Sequence, residues 1–299
     1  MPTIDLSQLP SPEIIEALDF ETILTDVKAV MVAAFPADQH ASVAAALSLE
    51  SEPLNVIAQA MAYRELLLRR RINEGAAACM LSHAEGTDLD NLAANLDTKR
   101  LTITPETDTA DAVMESDEAL RLRAQSAFEG MSVAGPSAAY EYFARSASGK
   151  VADARATSPA PAEVVIAILS TDGDGTASPE LLAAVTAAVN DEEVRPLGDR
   201  VTVRSADIVD YSIDAELFLY PGPESEPIIN AAMASLRAFL AANDKKIGRD
   251  VARTAITSSL HVQGVQRVVL RSPATDLPIS DVQAARNIGY AVENGGTDE

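Results

Sequence analysis

Glu163-Val164-Val165-Ile166-Ala167-Ile168-Leu169 is a short, almost unbroken apolar run, followed by Asp172-Gly173-Asp174-Gly175 and then Ser178-Pro179-Glu180. A run this short, rich in β-branched residues, reads as a buried strand. The Asp-Gly repeat reads as a turn, and Ser-Pro-Glu as the start of a helix reaching about Asn190. Arg200-Val201-Thr202-Val203-Arg204 then alternates apolar and polar residues, as a half-buried strand does. Strand, helix and strand within about forty residues make one α/β unit.

Further along, Tyr211-Ser212-Ile213-Asp214-Ala215-Glu216-Leu217-Phe218-Leu219-Tyr220 gives a longer strand, stopped by Pro221-Gly222-Pro223. Helices are expected at Glu226–Ala242 and Gly248–Leu260, and a closing strand at Gly264–Arg271. Val151–Arg155 adds a short strand, and the polar tail from Asn294 to Glu299 is expected to be loose. Several strands alternate, whereas a doubly wound parallel sheet needs uninterrupted apolar runs. The spacing therefore predicts an α+β protein, a helical N-terminal region followed by α/β modules with mixed or antiparallel ferredoxin-like sheets.

Towards the N-terminus the period is helical. Ser11-Pro12-Glu13 reads as an N-cap with a first-turn proline, and Asp19 as a second start. Phe20, Ile23, Leu24, Val27, Val30, Met31, Ala34 and Phe35 hold an apolar stripe up to Pro36. A helix follows from Ala37 to Ser48, and a long one from Pro53 to about Ser82. Gly86 is read as a left-handed terminator and Thr87 or Asp88 as the cap of a helix presenting Leu89, Leu92 and Leu96. Thr104-Pro105-Glu106-Thr107-Asp108 lies in a Thr- and Asp-rich stretch that reads as an exposed linker. Helices around Leu120–Phe128 and Tyr140–Phe143 come next. The expected organisation is a helical region at 1–96, a linker at 97–116, one module at 117–205 and a second with the tail at 206–299.

Composition limits the partners. The 299 residues suffice for about two domains; 23 basic against 45 acidic residues give a formal charge of −22. A phosphate-tracking surface or an anionic membrane needs the opposite sign, so neither nucleic acid nor membrane is an expected partner. No tryptophan and 4% aromatic residues leave little stacking surface. The single cysteine, Cys79, forbids an internal disulfide and suits synthesis in a reducing cytoplasm; it is read as a buried small hydrophobe. Met1-Pro2-Thr3-Ile4-Asp5-Leu6 lacks a signal peptide's basic and apolar parts.

Chemical motifs are sparse. A calcium loop beginning at Asp172 would need glycine and glutamate where Ala177 and Ala183 stand. His40, His83 and His261 have no metal-ligand spacing, and no nucleophile elbow or phosphate loop is found. No catalytic residue, cofactor or metal is assigned. The long helix carries the candidate interface: Leu54, Ile57, Met61, Leu68 and Ile72 fall near one face, with Arg69, Arg70 and Arg71 as the one basic cluster. These arginines either pair locally with Glu65 and Glu74 or meet an acidic partner.

The chain resembles the baseplate J-like family, wedge proteins of contractile phage tails and tail-like bacteriocins. The likeness is carried by Leu18-Asp19-Phe20-Glu21, Leu49-Glu50-Ser51-Glu52-Pro53-Leu54, Ala62-Tyr63-Arg64-Glu65 and Ala84-Glu85-Gly86-Thr87-Asp88-Leu89. Glu115-Ser116-Asp117-Glu118, Ala134-Gly135-Pro136, Val194-Arg195-Pro196-Leu197-Gly198-Asp199, Tyr220-Pro221-Gly222-Pro223 and Gly248-Arg249-Asp250 continue it in order. The resemblance implies a structural, non-enzymatic component of a virion tail baseplate or tail-like particle, made in the bacterial host cytoplasm. It implies two copies joined to one companion baseplate protein, contacts with tail hub and sheath-initiating proteins, and a six-fold ring that passes on the trigger for sheath contraction. A hinge in the 97–116 linker would follow from two copies in unequal settings. The rival readings are an envelope-acting hydrolase, which needs a carboxylate pair or metal in a cleft, and an aromatic-rich receptor-binding tip.

Overall fold

A computed structural model describes residues 4, 6, 9–10, 12–107, 109–132, 134–222 and 225–297. Met1–Thr3, Asp5, Ser11, Asp108, Pro223, Asp298 and Glu299, which entered the readings above, lie outside the described residues. The chain divides into two compact units, one ending at Asn95 and one beginning at Leu96.

The first unit is helical. Helix α1 spans Phe20–Ala34, and the Asp19 carboxylate accepts the Thr22 N–H at 2.8 Å as its N-cap. Pro12–Ile15 form a turn rather than the expected helix, with the Ile15 N–H bonded to Pro12 O. Asp19 must be extended to cap α1 (φ −126, ψ 123), and that leaves too few residues before it to nucleate a helix. A 3-10 turn at Ala37–Gln39 leads into α2 (His40–Leu47); α3 runs over Pro53–Ala78 and α4 over Gly86–Ala94. Pro53 fits the first turn of α3, where its missing N–H costs nothing. Helix α3 ends at Ala78, short of Ser82, in tight bonds from Cys79 N to Ala76 O and Met80 N to Ala77 O. Ile23, Leu24, Val27, Val43, Leu47, Ala58 and Ala62 are the core that α1, α2 and α3 share. Small Ala58 and Ala62 let α1 approach α3 closely.

The second unit is α+β. Strands β1 (Thr102–Thr104) and β2 (Val113–Met114) form an antiparallel hairpin inside the stretch read as a linker. Helices α5 (Asp117–Gly130) and α6 (Ser137–Ser146) follow, then β3 (Val151–Thr157), β4 (Glu163–Ser170), α7 (Pro179–Val189) and β5 (Arg200–Ser205). The sheet order is β3-β4-β5, antiparallel between β3 and β4 and parallel between β4 and β5. Ser178 caps α7 by accepting the Leu181 N–H at 3.2 Å. Leu181, Val185 and Val189 of α7 and Tyr140 and Ala144 of α6 close over Ile166 and Ile168 of β4.

Strand β6 (Asp207–Leu219) begins after the single residue Ala206 and is followed by α8 (Ser225–Asn243), α9 (Arg253–Leu260), β7 (Val265–Ser272) and β8 (Gln283–Thr297). This sheet has the order β7-β6-β8, antiparallel to β7 and parallel to β8. Ile213, Ala215, Leu217 and Leu219 face Ala232 and Leu236 of α8 and Ile256 and Leu260 of α9. Helix α9 starts at Arg253 rather than Gly248. Val251 is held extended by a bridge to Leu277, and Asp276 accepts the Arg253 N–H at 2.7 Å. Residues 294–297 belong to β8 rather than to a loose tail, because β6 supplies backbone partners as far as Thr297. Ala167, Leu169, Ala206, Ile247 and Ala284 form a core shared by both modules.

A buried ion pair fixes the hairpin stretch onto α5. Arg123 and Glu115 are each 5% exposed and meet at 2.6 Å, while Arg123 Nη2 also donates to Lys99 O. Thr98 is buried with its hydroxyl 3.2 Å from that of Tyr142 on α6.

Candidate partner interface

Helix α3 buries Asn55, Ala58 and Ala62 and turns the opposite side to solvent. At roughly 100° per residue, its exposed apolar residues form two rows. Ile57, Met61, Leu68 and Ile72 make one; Val56, Tyr63 and Leu67 make the other, and all seven are between 42% and 62% exposed. Of the five apolar residues singled out in the sequence, Leu54 stands apart: it is half-buried against the core of its own unit. Sequence periodicity found only one of the two rows. Val56, Tyr63 and Leu67 carry the second, and Arg64 and Arg71 fall between them. The signal was in the sequence, since α3 has far more apolar positions than one core face can use.

Cys79 is exposed as the C-cap of α3, not buried. The same angular count places it on the outward side with Ile57 and Leu68.

The arginines differ. Arg69 bonds Glu65 at 2.7 Å and Glu16 at 3.2 Å, and the Glu65 hydrogen bond, then its charge, holds the guanidinium pKa above its ordinary value. Arg70 and Arg71 reach Glu74 at 2.9 and 3.7 Å and are 70% and 83% exposed. Exposed pairs of this kind add about 0.3–0.5 kcal/mol each to a helix. Arg69 therefore serves its own unit, whereas Arg70 and Arg71 keep most of their surface for solvent or a partner.

The remaining candidates serve the fold. Asp172 pairs with Lys150 at 3.1 Å, Asp174 accepts the Thr176 N–H at 2.9 Å, and Gly173 and Gly175 take φ of 58 and 97, as a turn requires. His40 contacts Phe35 O, His83 contacts the Ser82 hydroxyl, and His261 ends α9. Among the described residues no group of three His, Cys, Asp or Glu is placed to hold a metal ion, and no helix is long and apolar enough to cross a membrane. A cavity of about 240 Å³ between α8 and β8 holds Asp244, Arg249 and Asp250, but Asp250 is engaged by the Ile279 N–H at 2.7 Å.

Among the described residues the longest helix leaves two apolar rows uncovered, the kind of surface that marks a protein–protein contact. The chain's sequence matches the baseplate J-like N-terminal domain at residues 50–107, the central domain at 132–205 and the C-terminal domain at 211–287. It is also 53% identical to baseplate protein J of Escherichia phage P2 over 303 residues, covering all of both chains. The chain belongs to the baseplate J-like family and is a structural component of a phage tail baseplate. The N-terminal domain match includes the whole of α3 and α4.

Proposed function

We propose that the chain is a non-enzymatic wedge subunit that binds through the outward face of α3. In this reading two copies and one companion baseplate protein form a heterotrimeric bundle. Ile57, Met61, Leu68 and Ile72 are buried there, Leu54 supports them from the core side, and Arg70 and Arg71 meet acidic groups at the rim. Arg69 positions Glu65 and Glu16 rather than the partner. Wedges then join into a six-fold ring around the hub, with sheath-initiating proteins above it, and the ring passes on the trigger for contraction. The two apolar rows on α3 carry the proposal, because hydrophobic surface of this extent is costly to leave in water.

The division into 1–96, 97–116, 117–205 and 206–299 is retained as a working scheme, with one refinement. Thr98 and Glu115 are tied to α6 and α5, so we place the hinge at Leu96–Asp97, where Asp97 already has φ 52. The test is co-expression with the products of neighbouring genes and native mass spectrometry of the complex. A two-to-one assembly that is lost on Leu68→Asp supports the reading. A chain that stays monomeric with every neighbour overturns it.

A further inference from the structure

The end of α8 and the start of β8 meet at one end of the second sheet and leave a cleft there. Helix α8 ends at Asn243, and Lys245 takes the left-handed conformation, φ 53, that turns the chain away. The Lys245 ammonium donates to Thr171 O at 2.7 Å, which holds Asp244 beside β8. Ile247 is buried, and Gly248, at φ 71, swings Arg249 and Asp250 back toward the same place. Tyr211, Phe239, Asp244, Arg249, Asp250 and Asn287 line the resulting cavity of about 240 Å³. Asp244 and Asn287 also wall a second cavity of about 170 Å³. The two together reach the size of small-molecule pockets, about 300–1,000 Å³.

Most of these side chains have hydrogen-bonding capacity to spare. Among the described residues, no hydrogen bond or ion pair engages the Tyr211 hydroxyl, the Asp244 carboxylate or the Arg249 guanidinium. Asp250 gives Oδ1 to the Ile279 N–H at 2.7 Å and keeps Oδ2. The buried Nδ2 of Asn287 has no partner among the described residues, which is uncommon in a folded protein. Burial first, and then the Asp244 charge, raise the Tyr211 phenol above its ordinary pKa, so that hydroxyl keeps its proton. The cleft thus combines carboxylates that only accept, a guanidinium and an amide nitrogen that only donate, and a hydroxyl that does both.

That mixture sorts ligands by chemistry. An anion meets Asp244 and Asp250. A cation meets Arg249 and leaves the Asn287 nitrogen unpaired. Among the described residues no three His, Cys, Asp or Glu are placed to hold a metal ion. Neighbouring hydroxyls suit the cleft, because each can donate to a carboxylate while accepting from a guanidinium or an amide. Tyr211 and Phe239, both packed on the core of this module, add apolar ring surface for the C–H side of a sugar. We propose that the cleft binds one neutral sugar residue, free or at the end of a polysaccharide, with Asp244 and Arg249 as its principal polar contacts. The site lies within the second unit and does not depend on the α3 reading.

The full-length chain would be tested by saturation-transfer NMR with the methyl glycosides of glucose, mannose, galactose and N-acetylglucosamine, beside N-acetylalanine methylamide as a peptide probe. Saturable transfer to glycoside ring protons, and none to the peptide, is expected. Asp244→Ala and Arg249→Ala should each weaken binding about tenfold or more, the size of a lost hydrogen bond to a charged group. Asp26→Ala, in the first unit, should bind as the parent does. Unchanged thermal melting of the variants shows that the loss is local. Oligosaccharide released from a bacterial envelope should displace the glycoside if the site takes a chain end, and fail to displace it if the site takes free sugar only. Silence from every glycoside overturns the proposal, as does transfer that both alanine variants leave intact, or a peptide probe that binds in place of the sugars.

Discussion

Replacing Arg123 by methionine is expected to be one of the most destabilising single changes in the second unit. Arg123 Nε and Nη2 reach the two Glu115 oxygens at 2.8 and 2.6 Å, and Nη2 also meets Lys99 O at 2.6 Å. Without the guanidinium, the buried Glu115 carboxylate keeps only the Leu101 N–H at 3.1 Å, and Lys99 O loses its donor. Breaking a buried pair by removing one partner costs about 3–5 kcal/mol, against a domain stability of about 5–15 kcal/mol. Removing both charges, in Arg123→Met with Glu115→Met, eliminates the stranded carboxylate. What remains is the unsatisfied Lys99 carbonyl and Leu101 N–H, worth about 1–3 kcal/mol each at most. The double variant should therefore cost less than the sum of the singles, a favourable coupling of about 2 kcal/mol. The assay is urea unfolding followed by tyrosine signal at constant slope. Of the tyrosines only Tyr63 precedes residue 96, so the signal reports chiefly on the unit that holds the pair. Additive effects, or a single variant costing under about 1 kcal/mol, would refute the claim that the pair clamps the hairpin stretch.

Gly135→Ala should destabilise by about 1–3 kcal/mol, measured by thermal melting, because Gly135 has φ 67 and an added Cβ would lie 2.7 Å from the Pro196 ring. Val185→Ala, at the fully buried centre of α7, should cost about 1–3 kcal/mol in the same melt. Burial first, and then the Asp199 carboxylate that accepts its hydroxyl at 2.9 Å, push the Tyr140 phenol above its ordinary range. Its folded pKa is raised, so its contribution is intact below the unfolded value near about 10 and is lost as pH rises through the folded value. Tyr140→Phe should flatten that alkaline decline in urea midpoints. Leu68→Asp and Ile72→Asp should change the stability of the free chain by less than about 0.5 kcal/mol, yet, on the proposed reading, abolish co-purification with the companion baseplate protein.

The α+β class was legible because each kind of element left a local signature. Ser178-Pro179 marked α7, Asp19 marked α1, and Ile166-Ala167-Ile168 marked a strand buried on both faces. What the sequence hid depended on distant partners. Strand β8 contains Gly289, Gly295 and Gly296 and has weak intrinsic strand preference; β6 imposes its conformation through parallel pairing. The hairpin of β1 and β2 is too short to announce itself and is fixed by Arg123, more than eight residues beyond either strand. The late start of α9 is set by Leu277 and Asp276, which lie after the helix in the chain. On α3, periodicity recovered one apolar row but misplaced Leu54 and Cys79, because a helix with apolar residues most of the way round gives no clear inner face.

The one-residue junction at Ala206 has a mechanical consequence. Strands β5 and β6 are almost one continuous strand, with Ala206 buried in the core shared by both modules and its N–H bonded to Ile168 O at 2.8 Å. There is no slack loop in which a pull could be dissipated. Tension applied along β8 would load its parallel ladder with β6 in shear, with many hydrogen bonds strained together rather than peeled in turn. That load would then reach the first sheet directly. Under such a load the two sheets would be expected to move together, with the ends yielding before the β5–β6 junction stretches.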